Sequence, residues 1–353
     1  MPILNNLTVN EITDGPEYYI GLTKAQLNQE IQNDTSATKT INFTALGATD
    51  VSSFALAYAY SKCRSLHTVD MSIITRLSGT YCCYGAYSGS GVNSLDLSNL
   101  TVVAGQYAAG NMASLAYPSG GTLTYNLSKL ESITGNYGCT GMFHAANVTG
   151  VDLPALTSIS GSYACYSMFS DNPTLTTMNM KNLTTVTGNS VFSEFLRGAA
   201  ITVAKFESLS VASGSLVFIN TFQNCTSLQS LYFYALSSFG GNTNQFNNML
   251  NGCSNVTVHF PMAIQSTIGS WSSVTGGFGG TNTTVLFDIV TSAVGADTNT
   301  YQRQEKDSTS TATAWTYNDT LYYTSGNAEP QVGDTIYSDS ACTTAVTTIS
   351  SIA

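Results

Sequence analysis

The chain has few charged residues: Asp, Glu, Lys and Arg together make up 9% of its 353 residues. Basic residues are scarcer than acidic ones, 11 against 21, so the formal net charge is −10. A protein that holds a phosphate backbone needs Lys and Arg to displace counterions. The composition therefore argues against a nucleic-acid partner. A surface rich in Ser, Thr, Asn and Gly in place of ions is typical of extracellular and virion proteins.

Long apolar runs are also missing. No stretch approaches the ~18 apolar residues that a membrane-spanning helix needs, so we expect no membrane insertion. The first residues, MPILNNLTVNEITDG, have neither the basic start nor the apolar core of a secretion signal. This pattern favours a route to the outside that does not use such a signal, such as release of virions by lysis.

Residue patterns that carry known chemistry are scarce. The three histidines, His67, His144 and His259, lie in different parts of the chain without Cys or acidic neighbours at metal-ligand spacing. No nucleophile elbow, P-loop, dinucleotide-binding fingerprint or HExxH motif occurs. We therefore predict a protein that is not an enzyme and has no cofactor and no metal. A polysaccharide-degrading enzyme is the less favoured alternative, and it would need a correctly spaced acid pair in a cleft.

What the chain does have is an internal repeat of about 26 residues, a period that indicates a solenoid. One copy places apolar residues at Val148, Val151, Leu153, Leu156 and Ile159 before a closing glycine. The closing glycines of the successive copies are Gly79, Gly105, Gly135, Gly161, Gly188, Gly214 and Gly241.

Each copy predicts two kinds of structure. The apolar, polar, apolar order of Val151 to Leu153 has the period of a strand, and stacked copies would form a parallel sheet. The segment after each glycine carries aromatic and Met residues, such as Tyr137, Met142 and Phe143, at spacings that suit a short helix behind the strand. We therefore predict an α/β solenoid.

Most of the eight cysteines follow the repeat, which favours reduced core residues over a disulfide framework. They fall at two repeated positions that otherwise hold mostly small residues. These cysteines are Cys63, Cys225 and Cys253 at one position, and Cys83, Cys139 and Cys165 at the other.

The segments FQNCTSLQSLYFYALSSFGG (222–241), MFSDNPTLTTMNMKNLTTVTG (168–188) and MFHAANVTGVDLPALTSISG (142–161) resemble the BspA-like class of leucine-rich repeats. The resemblance covers roughly two thirds of the chain, and it implies a leucine-rich-repeat solenoid with parallel strands. The repeats here are longer than is usual in that family, and Pro154 is the one proline at an expected strand end. These departures weaken any transfer of binding function.

The organisation predicted from these patterns has four parts. Residues 1–34 form an amino-terminal cap or a segment that attaches to other virion or surface proteins, and residues 35–290 form the solenoid with its carboxy-terminal cap. Residues 291–312 are a polar linker, and residues 313–353 form a small all-β module that either pairs with copies of itself, giving a homo-oligomer, or packs on a neighbour. The module resembles small terminal modules of gut-bacterial and phage surface proteins.

The candidate ligand-binding residues lie along the predicted strand face. The early copies supply acids, and the late copies supply aromatic and basic residues that suit a sugar ring or a protein partner. An ordinary solvated strand face is the alternative, and the module's Trp315, Tyr322 and Tyr323 are the reserve site. The predicted binding residues are Asp70, Asp96, Asp152, Lys205, Tyr232, Tyr234 and His259.

Together these patterns predict a non-enzymatic binding or adhesion protein at a virion or extracellular surface. The leading hypothesis is a phage fibre or decoration protein that recognises a host surface glycan or protein. A bacterial cell-surface adhesin is the alternative.

Overall fold

A computed structural model describes most of the repeat region and parts of both termini. The described residues are 6–8, 18–19, 22–23, 39–42, 49–51, 53, 56–62, 64, 66–116, 118, 121–240, 243–261, 264, 277–288, 292–303, 312–318, 320–325 and 332–352. The chain divides into two compact units, Met1–Val258 with Trp271–Thr284, and His259–Ser270 with Val285–Ala353. Each unit is described separately below.

The first unit is a parallel β-solenoid, which confirms the solenoid and its parallel strands. Each coil contributes one strand to a side that we call the strand side. Most neighbouring strands of this side pair in parallel, with Val69 opposite Leu95, as the repeat predicts. The strands of the strand side are β4 (Lys39–Asn42), β5 (Leu66–Asp70), β7 (Ser94–Asp96), β9 (Thr124–Asn126), β11 (Gly150–Asp152), β13 (Thr177–Asn179), β15 (Val203–Lys205), β17 (Ser230–Tyr232) and β19 (Thr257–Pro261), and β20 (Thr284–Asp288) follows β19 in the same sheet.

A second, shorter strand follows in each coil, and these strands form a seven-stranded parallel sheet. Each ends just before the closing glycine. They are β6 (Arg76–Leu77), β8 (Val102–Val103), β10 (Ser132–Ile133), β12 (Ser158–Ile159), β14 (Thr185–Val186), β16 (Val211–Ala212) and β18 (Ser238–Phe239).

On the third side of each coil, the structure differs from the predicted α/β architecture. The segments expected to be short helices, including Tyr137, Met142 and Phe143, are runs of tight turns. In the described residues, helical structure is limited to a four-residue 3-10 helix, Thr243–Phe246, and isolated single positions. We call this third side, formed by residues 80–90 and their equivalents in later coils, the turn side.

The hydrogen bonds of the turn side explain why no helix forms. Alternate backbone N–H groups donate to the next coil: Tyr81 N–H donates to Gln106 O at 2.8 Å. The intervening ones close local turns, as when Ala86 N–H donates to Cys83 O at 3.1 Å in a turn whose third residue is Gly85. Every fourth residue has positive φ, for example Tyr81 at 55° and Gly85 at 58°. A positive φ at the third residue of a four-residue turn is the geometry of a type II turn, and it interrupts any helix.

The closing glycines are required by the stacking of one coil on the next. A Cβ placed on Gly161 would overlap the carbonyl oxygen of Gly135, and one on Gly188 would overlap that of Gly161. The same close approach recurs along this column, so the period of the glycines marks backbone-to-backbone contact between coils.

The apolar positions of the repeat form one continuous core, as predicted. Val148, Val151, Leu153, Leu156 and Ile159 are each at most 1% exposed. Neighbouring coils also stack aromatic rings in the core, such as Phe143 on Phe169 with ring centroids 5.3 Å apart. Burial beside the same side chains of the adjacent coils is what stabilises each coil, since one coil alone has too little apolar surface.

The cysteine prediction is confirmed for the described residues. Six cysteines are buried and unpaired, namely Cys82, Cys83, Cys139, Cys165, Cys225 and Cys253, whereas Cys342 is unpaired and half-buried. Burial raises the pKa of the Cys139 thiol to about 12. Cys63 lies outside the described residues.

The second unit contains a closed antiparallel barrel with a core of Tyr301, Trp315, Ile336 and Ile349. Trp315 is 0% exposed and its indole N–H donates to Thr324 Oγ1 at 3.0 Å, so the expectation that Trp315 is an exposed binding residue was wrong. Two barrel strands, Ser292–Gly295 and Thr300–Arg303, lie within the predicted 291–312 linker. The six strands are β21 (Ser292–Gly295), β22 (Thr300–Arg303), β23 (Ala312–Tyr317), β24 (Thr320–Ser325), β25 (Thr335–Tyr337) and β26 (Ala345–Ile352).

The amino-terminal segment contributes β1 (Asn6–Thr8), which pairs in parallel with β4 so that Leu7 lies opposite Ile41. β2 (Tyr18–Tyr19) and β3 (Leu22–Thr23) form a small antiparallel pair. Most of residues 1–34 lie outside the described residues, so their predicted capping or attachment role stays a prediction.

Candidate functional site

The structure places the acids among the predicted binding residues next to each other or next to an amide on the strand side. Asp70 on β5 lies opposite Asp96 on β7, and Asp96 lies opposite Asn126 on β9. Farther along the strand side, Asp152 on β11 lies opposite Asn179 on β13. The register inferred from the repeat is therefore correct at these positions.

The acids of this column are engaged in local hydrogen bonds. Asp70 Oδ1 accepts from the N–H of Ser72 at 2.9 Å and from its hydroxyl at 2.6 Å. Asp96 Oδ1 accepts from the N–H of Ser98 at 2.8 Å. Each carboxylate thus caps the turn that follows its own strand, which is a structural task. In the described part of the chain, no three acidic, His or Cys side chains gather where they could hold a metal ion.

Tyr125 interrupts the strand side between β9 and β11. Its hydroxyl donates to Gly150 O at 2.8 Å and accepts from the N–H of Asp152 at 2.9 Å, where strand pairing would otherwise continue. Burial raises the pKa of this phenol. Asp152 consequently belongs to a separate two-stranded sheet, where its Oδ1 accepts from Asn179 Nδ2 at 2.7 Å.

Of the predicted binding residues in the later coils, the structure brings three together. Lys205 on β15 lies opposite Tyr232 on β17. The rings of Tyr232 and Tyr234 stack, with centroids 5.1 Å apart and planes 19° from parallel. All three side chains are half-buried. His259 lies on β19 but belongs to the second unit, so it is not placed against the other three.

The main feature that sequence reasoning missed is a ladder of tyrosine rings on the turn side. Tyr81, Tyr107, Tyr137 and Tyr163 lie on four successive coils, each two residues after a closing glycine. Successive centroids are 4.8, 4.5 and 4.8 Å apart, and successive planes are within 8° of parallel. We call these four residues the tyrosine ladder.

Two more tyrosines of the turn side lie against glycines. A Cβ on Gly85 would come within 2.8 Å of two ring carbons of Tyr58, and one on Gly110 would come equally close to the ring of Tyr84. Tyr84 meets Tyr107 edge to face at 5.9 Å, and its hydroxyl accepts from Asn111 Nδ2 at 3.0 Å. The glycines make room for the rings, which widen the aromatic surface beside the ladder.

Charged side chains of the turn side gather on later coils. Arg197 forms ion pairs with Asp171 at 2.5 Å and with Glu194 at 2.6 Å. His144 Nδ1 lies 2.7 Å from Ser170 Oγ and 3.5 Å from Asp171 Oδ2. Because Ser170 and Asp171 approach the same ring nitrogen, the arrangement lacks the two-nitrogen relay of a Ser-His-Asp triad.

One signal in the sequence could have revealed the tyrosine ladder. Tyr81, Tyr107, Tyr137 and Tyr163 share a fixed distance from the closing glycine, so any stacked repeat would align them. Assigning the segment to a helix concealed this, because a helix would turn the rings toward the core. The buried residues of the segment are Met142, Phe143, Met168 and Phe169 and their equivalents.

Comparisons with known proteins provide no relative for this chain: no family model, curated protein or solved structure matches it. Across the described residues, no helix combines the length and the apolar character needed to cross a bilayer.

Proposed function

We propose that the chain is a non-enzymatic recognition protein that binds a glycan or protein on a host surface through the late strand side. The observation that carries this proposal is the Tyr232–Tyr234 stack with Lys205 on the neighbouring strand. Two parallel half-buried rings beside a cation offer an apolar platform and a hydrogen-bond donor within one small area. Sugar rings and exposed protein loops both use that combination.

The site lies on a scaffold that suits recognition. Strands of the solenoid are held in register by their neighbours, so the side chains of β15 and β17 are fixed before a ligand arrives. The early acids contribute less to this proposal, because Asp70 and Asp96 already cap their own turns. The proposed site is therefore reduced from seven predicted residues to three, Lys205, Tyr232 and Tyr234.

The setting that we propose is a virion, as part of a phage fibre or decoration protein, with a bacterial surface adhesin as the alternative. The low charge and the repetitive hydroxyl-rich surface support an extracellular location. Membership in the BspA-like repeat class is part of the same proposal. Its support is the buried order Phe222, Cys225, Leu228 in one coil, whereas the helix-free turn side is a departure from our expectation.

The proposal is tested by binding of the purified chain to a panel of bacterial cells and immobilised surface glycans. Tyr232→Ala with Tyr234→Ala should weaken binding about 100-fold or more, because aromatic anchors carry most of the energy of such sites. Lys205→Ala should weaken it less. Lys181→Ala is the matched control, since it removes the same charge from an exposed position on another coil.

Two outcomes would contradict the proposal. One is unchanged binding by a double variant whose circular dichroism spectrum matches that of the original chain. The other is the absence of binding by the original chain to every cell and glycan tested.

A further inference from the structure

Three tyrosines of the ladder, Tyr107, Tyr137 and Tyr163, carry hydroxyl groups that the described part of the protein does not use. The hydroxyls of Tyr107, Tyr137 and Tyr163 reach solvent, and none has a hydrogen-bond partner among the described residues. Burial and the neighbouring phenols raise the pKa of Tyr107, so its hydroxyl stays protonated at neutral pH. The row is therefore a set of donors with fixed spacing.

The spacing of this row is regular along the solenoid. The centroids of Tyr107 and Tyr137 are 4.5 Å apart and those of Tyr137 and Tyr163 are 4.8 Å apart, so two steps cover about 9.3 Å. A linear ligand whose acceptors repeat at about 9.3 Å would therefore meet every second hydroxyl of the row.

Most of the ladder lies on a surface without charged side chains. The turn-side segments 80–90, 106–116 and 136–146 contain no Asp, Glu, Lys or Arg, and the fourth segment, 162–172, contains only Asp171, in a chain whose net charge is −10. Among the described residues, Asp171 is already engaged in an ion pair with Arg197. This surface offers a charged polymer nothing to pair with, whereas it suits a neutral one.

We propose that the tyrosine ladder is a second binding site, one that binds a proline-rich segment in the polyproline II conformation. That helix rises about 3.1 Å per residue with three residues per turn, so every third carbonyl recurs at about 9.3 Å. Tyr107 and Tyr163 then donate to carbonyls three residues apart. The polyproline II helix has no internal hydrogen bonds, so all of its carbonyls are available to accept.

The packing of the rings favours this ligand over a stacked sugar. Each inner ring of the ladder has both faces covered by its neighbours at stacking distance. Sugar recognition by aromatic residues uses an open ring face, which Tyr107 and Tyr137 lack. Their edges and hydroxyls remain, and proline rings can pack along the edges while Tyr84 extends the apolar strip beside Tyr107.

The test uses the full chain and a fluorescent oligoproline of about ten residues, which is longer than the ladder. We expect saturable binding in an anisotropy titration. A triple variant, Tyr107→Phe, Tyr137→Phe and Tyr163→Phe, keeps the stacked rings and removes the donors. It should weaken binding about tenfold or more, since the hydrogen bonds donated by Tyr107 and Tyr163 are lost together.

Two controls accompany the triple variant. Tyr232→Phe with Tyr234→Phe alters the strand side alone and should leave oligoproline binding unchanged. A Gly/Ser peptide of the same length should bind much more weakly than oligoproline, because it is not preorganised.

The proposal is overturned if oligoproline fails to bind at millimolar concentration or if the triple variant binds it as well as the original chain. Equal binding of the Gly/Ser peptide would overturn it too, as would an oligosaccharide that displaces oligoproline from the ladder. Because the strand-side variants are tested separately, a negative result with oligoproline would not contradict the proposed glycan or protein site of the late coils.

Discussion

The strand side and the turn side of the same coils differ in how they use their side chains. On the strand side, Asp70, Asp96 and Tyr125 are engaged in hydrogen bonds that hold the protein together. On the turn side, the rings of the tyrosine ladder stack on one another, and the hydroxyls of Tyr107, Tyr137 and Tyr163 have no hydrogen-bond partner among the described residues. The early strand-side residues therefore stabilise the fold, whereas the three phenols of the turn side can still donate hydrogen bonds.

The largest effect that we expect comes from the contact on which both sides depend. Gly161→Ala places a Cβ against the carbonyl oxygen of Gly135, and two backbones must separate to admit it. We expect a loss of about 4 kcal/mol or more in the free energy of unfolding, measured by urea denaturation. The matched control is Gly277→Ala, whose Cβ has no neighbour within 4 Å. Equal stability of the two variants would show that the coils are not in close contact at Gly161.

The next effect tests the core beneath the strand side. Leu153 is 0% exposed in a central coil, so Leu153→Ala should lower the free energy of unfolding by ~2 to 5 kcal/mol. Leu321→Ala, at a position that is 50% exposed, should have little effect by comparison. A thermal unfolding midpoint that Leu153→Ala leaves unchanged would mean that the register of the repeat is wrong.

The smallest effect concerns the acids of the strand side. Asp96→Ala removes the acceptor of the Ser98 N–H, and we expect a loss of ~1 kcal/mol in the free energy of unfolding. Asp96→Asn should be nearly neutral, because Asn126 already caps the equivalent turn by accepting from the N–H of Ser128 at 3.1 Å. If Asp96→Ala abolished host binding without altering stability, Asp96 would be a binding residue and not a cap.

The two sides also differ in how far the sequence reveals them. Strand alternation has a period of two, so Val151 and Leu153 could be assigned to the core from their spacing. The closing glycines fixed the register that puts Asp70 beside Asp96. On the turn side, alternate lateral and local hydrogen bonds with positive φ at Tyr81 and Tyr107 leave no simple apolar period. Helix and turn were therefore indistinguishable there.

The second unit shows the same limit of prediction. Trp315 follows a Gly-free polar stretch and resembles an exposed aromatic residue in sequence, yet it is the largest buried side chain of the barrel. Its burial depends on barrel closure by β21 and β26, which are far apart in the chain. A long-range pairing of this kind has no local signal in the sequence. The segment that contains β21 and β22 was therefore predicted to be a linker.

The central claim is that the strand side and the turn side are separate binding surfaces, and one cross-comparison tests it most directly. The Tyr232→Ala with Tyr234→Ala variant and the triple Tyr→Phe ladder variant are each measured for binding to host cells or glycan and for binding to oligoproline. We expect the Tyr232→Ala with Tyr234→Ala variant to lose only host or glycan binding, and the triple ladder variant to lose only oligoproline binding. Loss of both ligands by either variant, or of neither by both, would contradict it.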